Sequence, residues 1–168
     1  MKKIKRVNKL NKVITKELKP FGIRKATMSN EYAYYFNDSH ITYTLIETIN
    51  DEWFNEFVKE RFNLSDTESF VLSLLHEVGH HKANSNIDGD IYDFCMKEKK
   101  RLEKCIKKSD CTEEIKKLNW EYFNLPDEIM ATQWAVNYIK RHPKKVEKMW
   151  DNIYKELLKF YKKNYVKG

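Results

Sequence analysis

The sequence predicts an α+β fold, mostly helical, with a small antiparallel β-hairpin. Three observations carry this expectation. Only four Gly and three Pro occur in 168 residues, which favours long helices over a turn-rich β fold. Apolar residues recur at helical spacing in successive segments along the chain. One stretch, residues 31–49, is instead dense in β-branched and aromatic side chains and is interrupted by a turn cluster. No internal repeat, low-complexity segment or linker divides the chain, and its length suits a single domain over residues 1–168 with a core of its own.

Each element has a local reason. Residues 2–18 read as a basic amphipathic helix, with Ile4, Val7, Leu10 or Asn11, Ile14 and Leu18 in one stripe and Lys between them. Lys19-Pro20 and Gly22 end it. Residues 31–36 and 41–49 are the two arms of the hairpin, and Asn37-Asp38-Ser39-His40 is the turn, which leaves His40 exposed. A short helix follows at about 51–61, with Trp53, Phe54, Phe57 and Val58 as its apolar positions. The next helix spans Leu64 to Ala83. Ser65 with Glu68 forms a capping box, Asp66 adds acid to the first turn, and Phe70, Val71, Leu74, Leu75 and Val78 make the stripe. Helices at about 91–107 and 112–123 come after a polar loop, the second capped by Asp110 or Thr112. Pro126 opens a helix running to about Arg141, and Pro143 opens the last one, whose inward stripe is Val146, Met149, Trp150, Ile153, Leu157 and Phe160 or Tyr161.

Charge is unevenly spread. The net charge is +7, made of +9 in residues 1–25, −9 in 26–139 and +7 in 140–168. Basic ends can meet nucleic acid or an acidic partner, although lysines between apolar positions are first of all a solvated helix face. Cys95, Cys105 and Cys111 fit neither a disulfide framework nor a zinc finger, so reduced thiols are expected. No apolar run reaches transmembrane length and no signal-peptide core follows the basic N-terminus, so a cytoplasmic protein without a membrane partner is expected.

The densest chemical information is His76-Glu77-Val78-Gly79-His80. Four residues make about one helical turn, so His76 and His80 share a face and can reach one metal ion, and Glu77 lies where it can act on a metal-bound water. Gly79 costs about 1 kcal/mol against Ala in a helix interior, which implies close backbone approach to a neighbouring strand or to the metal. His81 points about 100° away and is read as a solvated residue. A catalytic zinc needs a third protein ligand and one open position. The subtype with a further His six residues on is excluded, because Asn86 stands there. A carboxylate at the start of the 126–141 helix remains. Glu128 is favoured, with Ala131 and Ala135 on its face small enough for close packing against the motif helix, and Asp127 is the next choice. Thr132 is a candidate hydrogen-bond partner of a ligand histidine, as is Asp127. Tyr122, Tyr138 and His142 are candidates for steadying an oxyanion.

His76-Glu77-x-x-His80 followed by a later Glu-x-x-Ala helix resembles the gluzincin branch of zinc metallopeptidases. It is most similar to the small ImmA/IrrE-like and phage-type metallopeptidases, which combine a hairpin, an H-E-x-G-H helix and a downstream E-x-x-A helix, here Glu128, Ala131, Trp134 and Ala135. The resemblance implies a minimal zincin-like domain with the hairpin packed on the H-E-x-x-H helix. The catalytic core would cover residues 30–140, between a basic N-terminal helix in 1–25 and a basic C-terminal helix in 143–168. It implies a hydrolase with Zn²⁺ on His76, His80 and Glu128, and with Glu77 as general base. The substrate would be a polypeptide such as a transcriptional repressor, with the gene of this chain on a phage or mobile element, and the 41–49 strand edge could receive the substrate backbone. A competing expectation is a catalytically idle zincin-fold module whose basic terminal helices bind nucleic acid or a protein partner.

Overall fold

A computed structural model describes residues 2–29, 34–36, 38–45, 49–64, 67–83 and 86–165. They are mostly helical, and they fall into two compact units: Met1–Leu45 with Tyr138–Gly168, and Ile46–Asn137.

The first unit brings the two ends of the chain together. Helix α1 (Lys2–Leu18) buries Leu10, Ile14 and Leu18. The choice left open between Leu10 and Asn11 falls to Leu10. A short 3-10 turn, Lys19–Phe21, ends at Gly22, whose φ of 93° is the left-handed conformation that glycine adopts without strain. Helix α7 (Pro143–Tyr165) packs against α1 with Val146, Met149, Ile153, Leu157 and Phe160 buried. Two contacts set its direction: Lys9 meets Glu156 at 3.4 Å, and Asn152 donates to Glu17 at 2.9 Å. Increasing numbers on one helix meet decreasing numbers on the other, so the pair is antiparallel.

The sheet of this unit is mixed, not the antiparallel hairpin alone. Strand β2 (Tyr34–Phe36) pairs antiparallel with β3 (His40–Tyr43), but β1 (Lys25–Met28) pairs with β3 in parallel, giving the order β1-β3-β2. The sequence expectation missed β1 because Lys-Ala-Thr-Met is only four residues long, with one β-branched residue and no aromatic to mark it as a strand. Tertiary pairing makes it a strand. Asn11 Oδ1 accepts the Met28 N–H at 3.0 Å and Thr15 Oγ1 the Ala26 N–H at 2.9 Å. The outer edge of β1 is thereby closed by a helix instead of another strand.

Two expectations fall with this arrangement. Strand β3 ends at Tyr43 and is central, so it offers no edge for a substrate strand; residues 46–48 of the expected 41–49 arm lie outside those described. His40 is not left in an exposed turn but opens β3, with its Nε2 2.7 Å from Thr27 Oγ1.

The second unit is helical. Helix α2 (Ile49–Phe62) buries Trp53, Phe57 and Val58. Helix α3 (Ser69–Ala83) starts later than expected. The Glu68 carbonyl accepts the Leu72 N–H at 3.0 Å, which makes Glu68 the residue before the first turn instead of the third residue within it. Ser65 and Asp66, the remaining members of the expected cap, lie outside the described residues.

Helix α4 (Gly89–Ile106) is capped by Asp88, whose side chain accepts the Asp90 N–H at 2.9 Å. Helix α5 (Thr112–Phe123) has Cys111 at its cap position with no side-chain bond, so neither Asp110 nor Thr112 plays the expected part. Trp120 and Phe123 of α5 meet Phe57 of α2 with ring centroids 5.6 and 5.4 Å apart. Helix α6 (Pro126–Arg141) begins on proline as expected. All three cysteines are free thiols. Among the described residues no helix is long and apolar enough to cross a membrane.

Candidate metal centre

The site begins with a contact between two backbones. A Cβ placed on Gly79 would lie 2.2 Å from the Ala131 carbonyl oxygen and 2.8 Å from its Cα. Only a residue without a side chain lets α3 approach α6 this closely. The partner is thus a helix backbone, not the strand or metal the sequence suggested. Ala131 and Ala135, both fully buried, are the small residues on the α6 side. Crossing at this point carries the residues next to Ala131 onto the motif. Glu128, one turn earlier, reaches the histidines, and Thr132 lies alongside His76.

Three ligand atoms converge. His76 Nε2 is 3.0 Å from Glu128 Oε2, His80 Nε2 is 3.1 Å from His76 Nε2, and His80 Nε2 is 3.4 Å from Glu128 Oε1. A four-coordinate ion with bonds of about 2.0–2.1 Å places its ligand atoms about 3.3 Å apart, the edge of the tetrahedron. The observed separations bracket that edge. The two imidazole nitrogens, 3.1 Å apart, can share a proton as N–H···N or turn both lone pairs toward one metal ion. His76, His80 and Glu128 can hold a metal ion, and they are the group of three ligand residues found among the described residues. The donor set, two nitrogens and a carboxylate, suits a borderline transition ion better than Ca²⁺ or Mg²⁺, which take oxygen ligands.

The surroundings keep these donors in place. Thr132 is fully buried and its Oγ1 lies 3.0 Å from His76 Nδ1. With the proton on Nδ1, His76 donates to this hydroxyl and turns its Nε2 lone pair inward. Phe54 of α2 stands edge-on to the His76 ring at 5.0 Å and is itself backed by Phe123 at 5.3 Å. Glu77 is buried, 7% exposed, on α3 next to His76.

Asp127 and Glu128 separate in role. Glu128 faces the histidines, whereas Asp127 faces Lys99 of α4 and stands outside the ligand group. The Lys99 ammonium pairs with both carboxylates. Burial by itself would raise the Glu128 pKa, but His80, His76 and Lys99 outweigh it and hold the carboxyl well below its usual range. Glu128 is therefore ionised and ready to bind a cation. Burial would lower the Lys99 pKa, yet the charge of Glu128, with Tyr122 and Asp127, holds it above the usual lysine range.

Lys99 is the functional residue that sequence reasoning missed. It is one of several basic residues in Lys97 to Arg101 and looks like a solvated face. A signal existed: Cys95, Lys99 and Leu102 recur at helical spacing, and Cys95 and Leu102 are buried.

The three oxyanion candidates part company. Tyr122 lies in the unit that holds the ligand group, with Lys99 Nζ 5.4 Å from its ring centre. Burial first, then the Glu128 charge, raises its pKa, so the phenol keeps its proton. Tyr138 and His142 belong to the other unit, where the Tyr138 ring meets His142 at 4.8 Å in a tilted contact and Phe21 edge-on at 5.0 Å. His81 is outside the ligand group as expected, with its pKa lowered by burial and by Lys82.

No family model, curated protein or solved structure matches this chain.

Proposed function

We propose that this chain is a zinc-dependent peptidase in which His76, His80 and Glu128 hold the metal and Glu77 is the general base. The observation that supports the reading is the convergence of the three ligand atoms at tetrahedral-edge separations, with a buried carboxylate next to them on the motif helix. Two His and one Glu are a recurring ligand set of catalytic zinc, and three protein ligands leave one position open. When bound, zinc lowers the pKa of a water from about 15.7 to near 7 and polarises the scissile carbonyl.

The chain's own residues supply the rest. Glu77 accepts a proton from the attacking water. The water oxygen bonds to the carbonyl carbon, the C–N bond breaks, and Glu77 passes the proton to the leaving amine. Tyr122, protonated and close to Lys99, is the candidate donor to the oxyanion. Thr132 keeps His76 in the tautomer that can bind metal. The substrate class is polypeptide; a regulatory protein such as a repressor follows from the gluzincin resemblance alone.

Metal analysis and proteolysis test this together. Purified protein should carry close to one zinc per chain, lost in His76→Ala and Glu128→Ala. It should cleave fluorescent casein in a chelator-sensitive way. Glu77→Gln should keep the metal and lose cleavage. Wild-type protein that takes up no zinc on reconstitution overturns the reading. Zinc-loaded protein that cleaves neither casein nor candidate repressors is the idle binding module instead.

A further inference from the structure

The unit made from both ends of the chain has a charge that neither end discloses alone. Residues 1–45 and 138–168 carry twenty Lys and Arg against six Asp and Glu, net +14, while residues 46–137 carry twelve against nineteen, net −7. The contrast is sharper at the surface: fourteen Lys and Arg of the first unit are exposed against three Asp and Glu, among the described residues. Clustered like charges repel one another and destabilise the fold that bears them. An anionic partner would relieve that repulsion.

Helix geometry orders these charges into one patch. On α7, Lys144, Lys148, Lys155, Lys159 and Lys162 are all exposed and lie on the face opposite buried Val146, Ile153 and Phe160. From the first to the last they span roughly 27 Å, at about 1.5 Å per residue. On α1, exposed Lys9, Lys12 and Lys16 lie on the face opposite Leu10, Ile14 and Leu18. The two rows meet. Glu156 is 3.4 Å from Lys9 of one row and 3.2 Å from Lys159 of the other, so a single acid joins them.

We propose that this surface is a second binding site, for duplex nucleic acid held by its phosphate backbone. A duplex presents about one negative charge per 1.7 Å of axis, a linear array that the α7 row can follow. Among the described residues the lysine faces carry no exposed aromatic side chain to stack on an unpaired base. The exposed tyrosines of α7, Tyr154 and Tyr161, lie about 100° around the helix from the lysines that follow them, Lys155 and Lys162. Single-strand binding relies on such aromatic platforms. Nor, among the described residues, do these faces present apolar side chains to enter a bilayer, as interfacial helices do. Contacts made only to phosphates carry no sequence preference.

The site is independent of the metal group, and the experiment keeps the two apart. Full-length protein is titrated into two fluorescent 20-bp DNA duplexes of unrelated sequence across a NaCl series. The expected result is equal affinity for both within about twofold, and a linear fall of log affinity with log salt. Lys148→Gln/Lys155→Gln/Lys159→Gln should weaken binding about tenfold or more at low salt and reduce the slope by about 2.7, at about 0.9 per phosphate contact. Lys100→Gln/Lys104→Gln/Lys107→Gln, which removes the same charge from exposed positions of α4 and its C-cap, should bind within twofold of wild type. Zinc content should be unchanged in both variants. Equal losses in the two triple variants, no salt-dependent binding at micromolar protein, or binding to phosphatidylserine vesicles without binding to DNA would each overturn the proposal.

Discussion

Replacing Gly79 with Ala tests the crossing on which the metal centre depends. In an ordinary helix interior Gly→Ala stabilises by about 1 kcal/mol. Here the added methyl would stand 2.2 Å from the Ala131 oxygen and 2.8 Å from the Ala131 carbonyl carbon and Cα. A carbon and an oxygen pack at about 3.5 Å, so the helices must separate by about 1 Å. None of the clashing atoms is a side-chain end that could rotate away. Inserting a methyl into close packing costs about 1–3 kcal/mol, and with rigid backbone in the way the upper end applies, which leaves about 2 kcal/mol of destabilisation after the propensity gain. At about 2–4 °C per kcal/mol for a chain of this size, the apo-protein Tm should fall by several degrees. The same separation carries Glu128 and Thr132 away from His76, so zinc affinity should fall about tenfold or more, the scale of losses from disturbed ligand support. Thermal melts of apo-protein and a chelator competition for zinc read the two effects. A variant with a raised Tm and unchanged affinity would refute the close crossing, because the sign of the stability change is opposite for a glycine in an open helix.

The remaining predictions address neighbouring contacts. Lys99→Met leaves Asp127 and Glu128 as buried carboxylates without their cation. Apo-protein should lose about 3 kcal/mol and zinc should restore much of it; an apo Tm equal to wild type would remove Lys99 from this role. Thr132→Val keeps the shape and deletes the hydroxyl at His76 Nδ1. It should weaken zinc binding about 10–100-fold with the fold intact, and unchanged chelator competition would show that Thr132 does not orient the ligand. Tyr43, buried and donating to Asn11 at 2.6 Å, has its pKa raised by burial above the ordinary 10.0. Above that pH the unfolded chain releases the proton while the folded one keeps it, so stability falls as pH rises. Urea denaturation between pH 8 and 11 should show a steeper loss for wild type than for Tyr43→Phe, and parallel curves would contradict the assignment.

Much of this protein is local in origin and therefore legible in its sequence. Helix α1 ends where Pro20 and Gly22 forbid its continuation, and Pro126 and Pro143 open α6 and α7 at the positions where proline costs nothing. His76 and His80 share a face because four residues nearly close a helical turn, whatever surrounds them. Even Gly79, Ala131 and Ala135 advertise a close helix approach by their size. The limits of α3 were harder, because Ser65 and Glu68 imitate a capping box while the helix begins beyond them at Ser69.

What depends on distant partners could not be read this way. Asp127 and Glu128 are neighbours about 100° apart on one helix, and only the angle at which Gly79 meets Ala131 decides which carboxylate faces the histidines. Lys99 is indistinguishable from its solvated neighbours until α4 is packed. Strand β1 exists through its pairing with β3 and through Asn11 and Thr15 of α1, none of which its own four residues encode. The two basic ends become one surface only when α1 and α7 pack antiparallel and Glu156 joins their lysine rows. The sequence by itself determined the helices and the pair of histidines, since both follow from contacts within a turn or two. The tertiary structure decided which carboxylate faces the histidines, the cation behind it and the basic surface, since each is set by the relative placement of residues far apart in the chain.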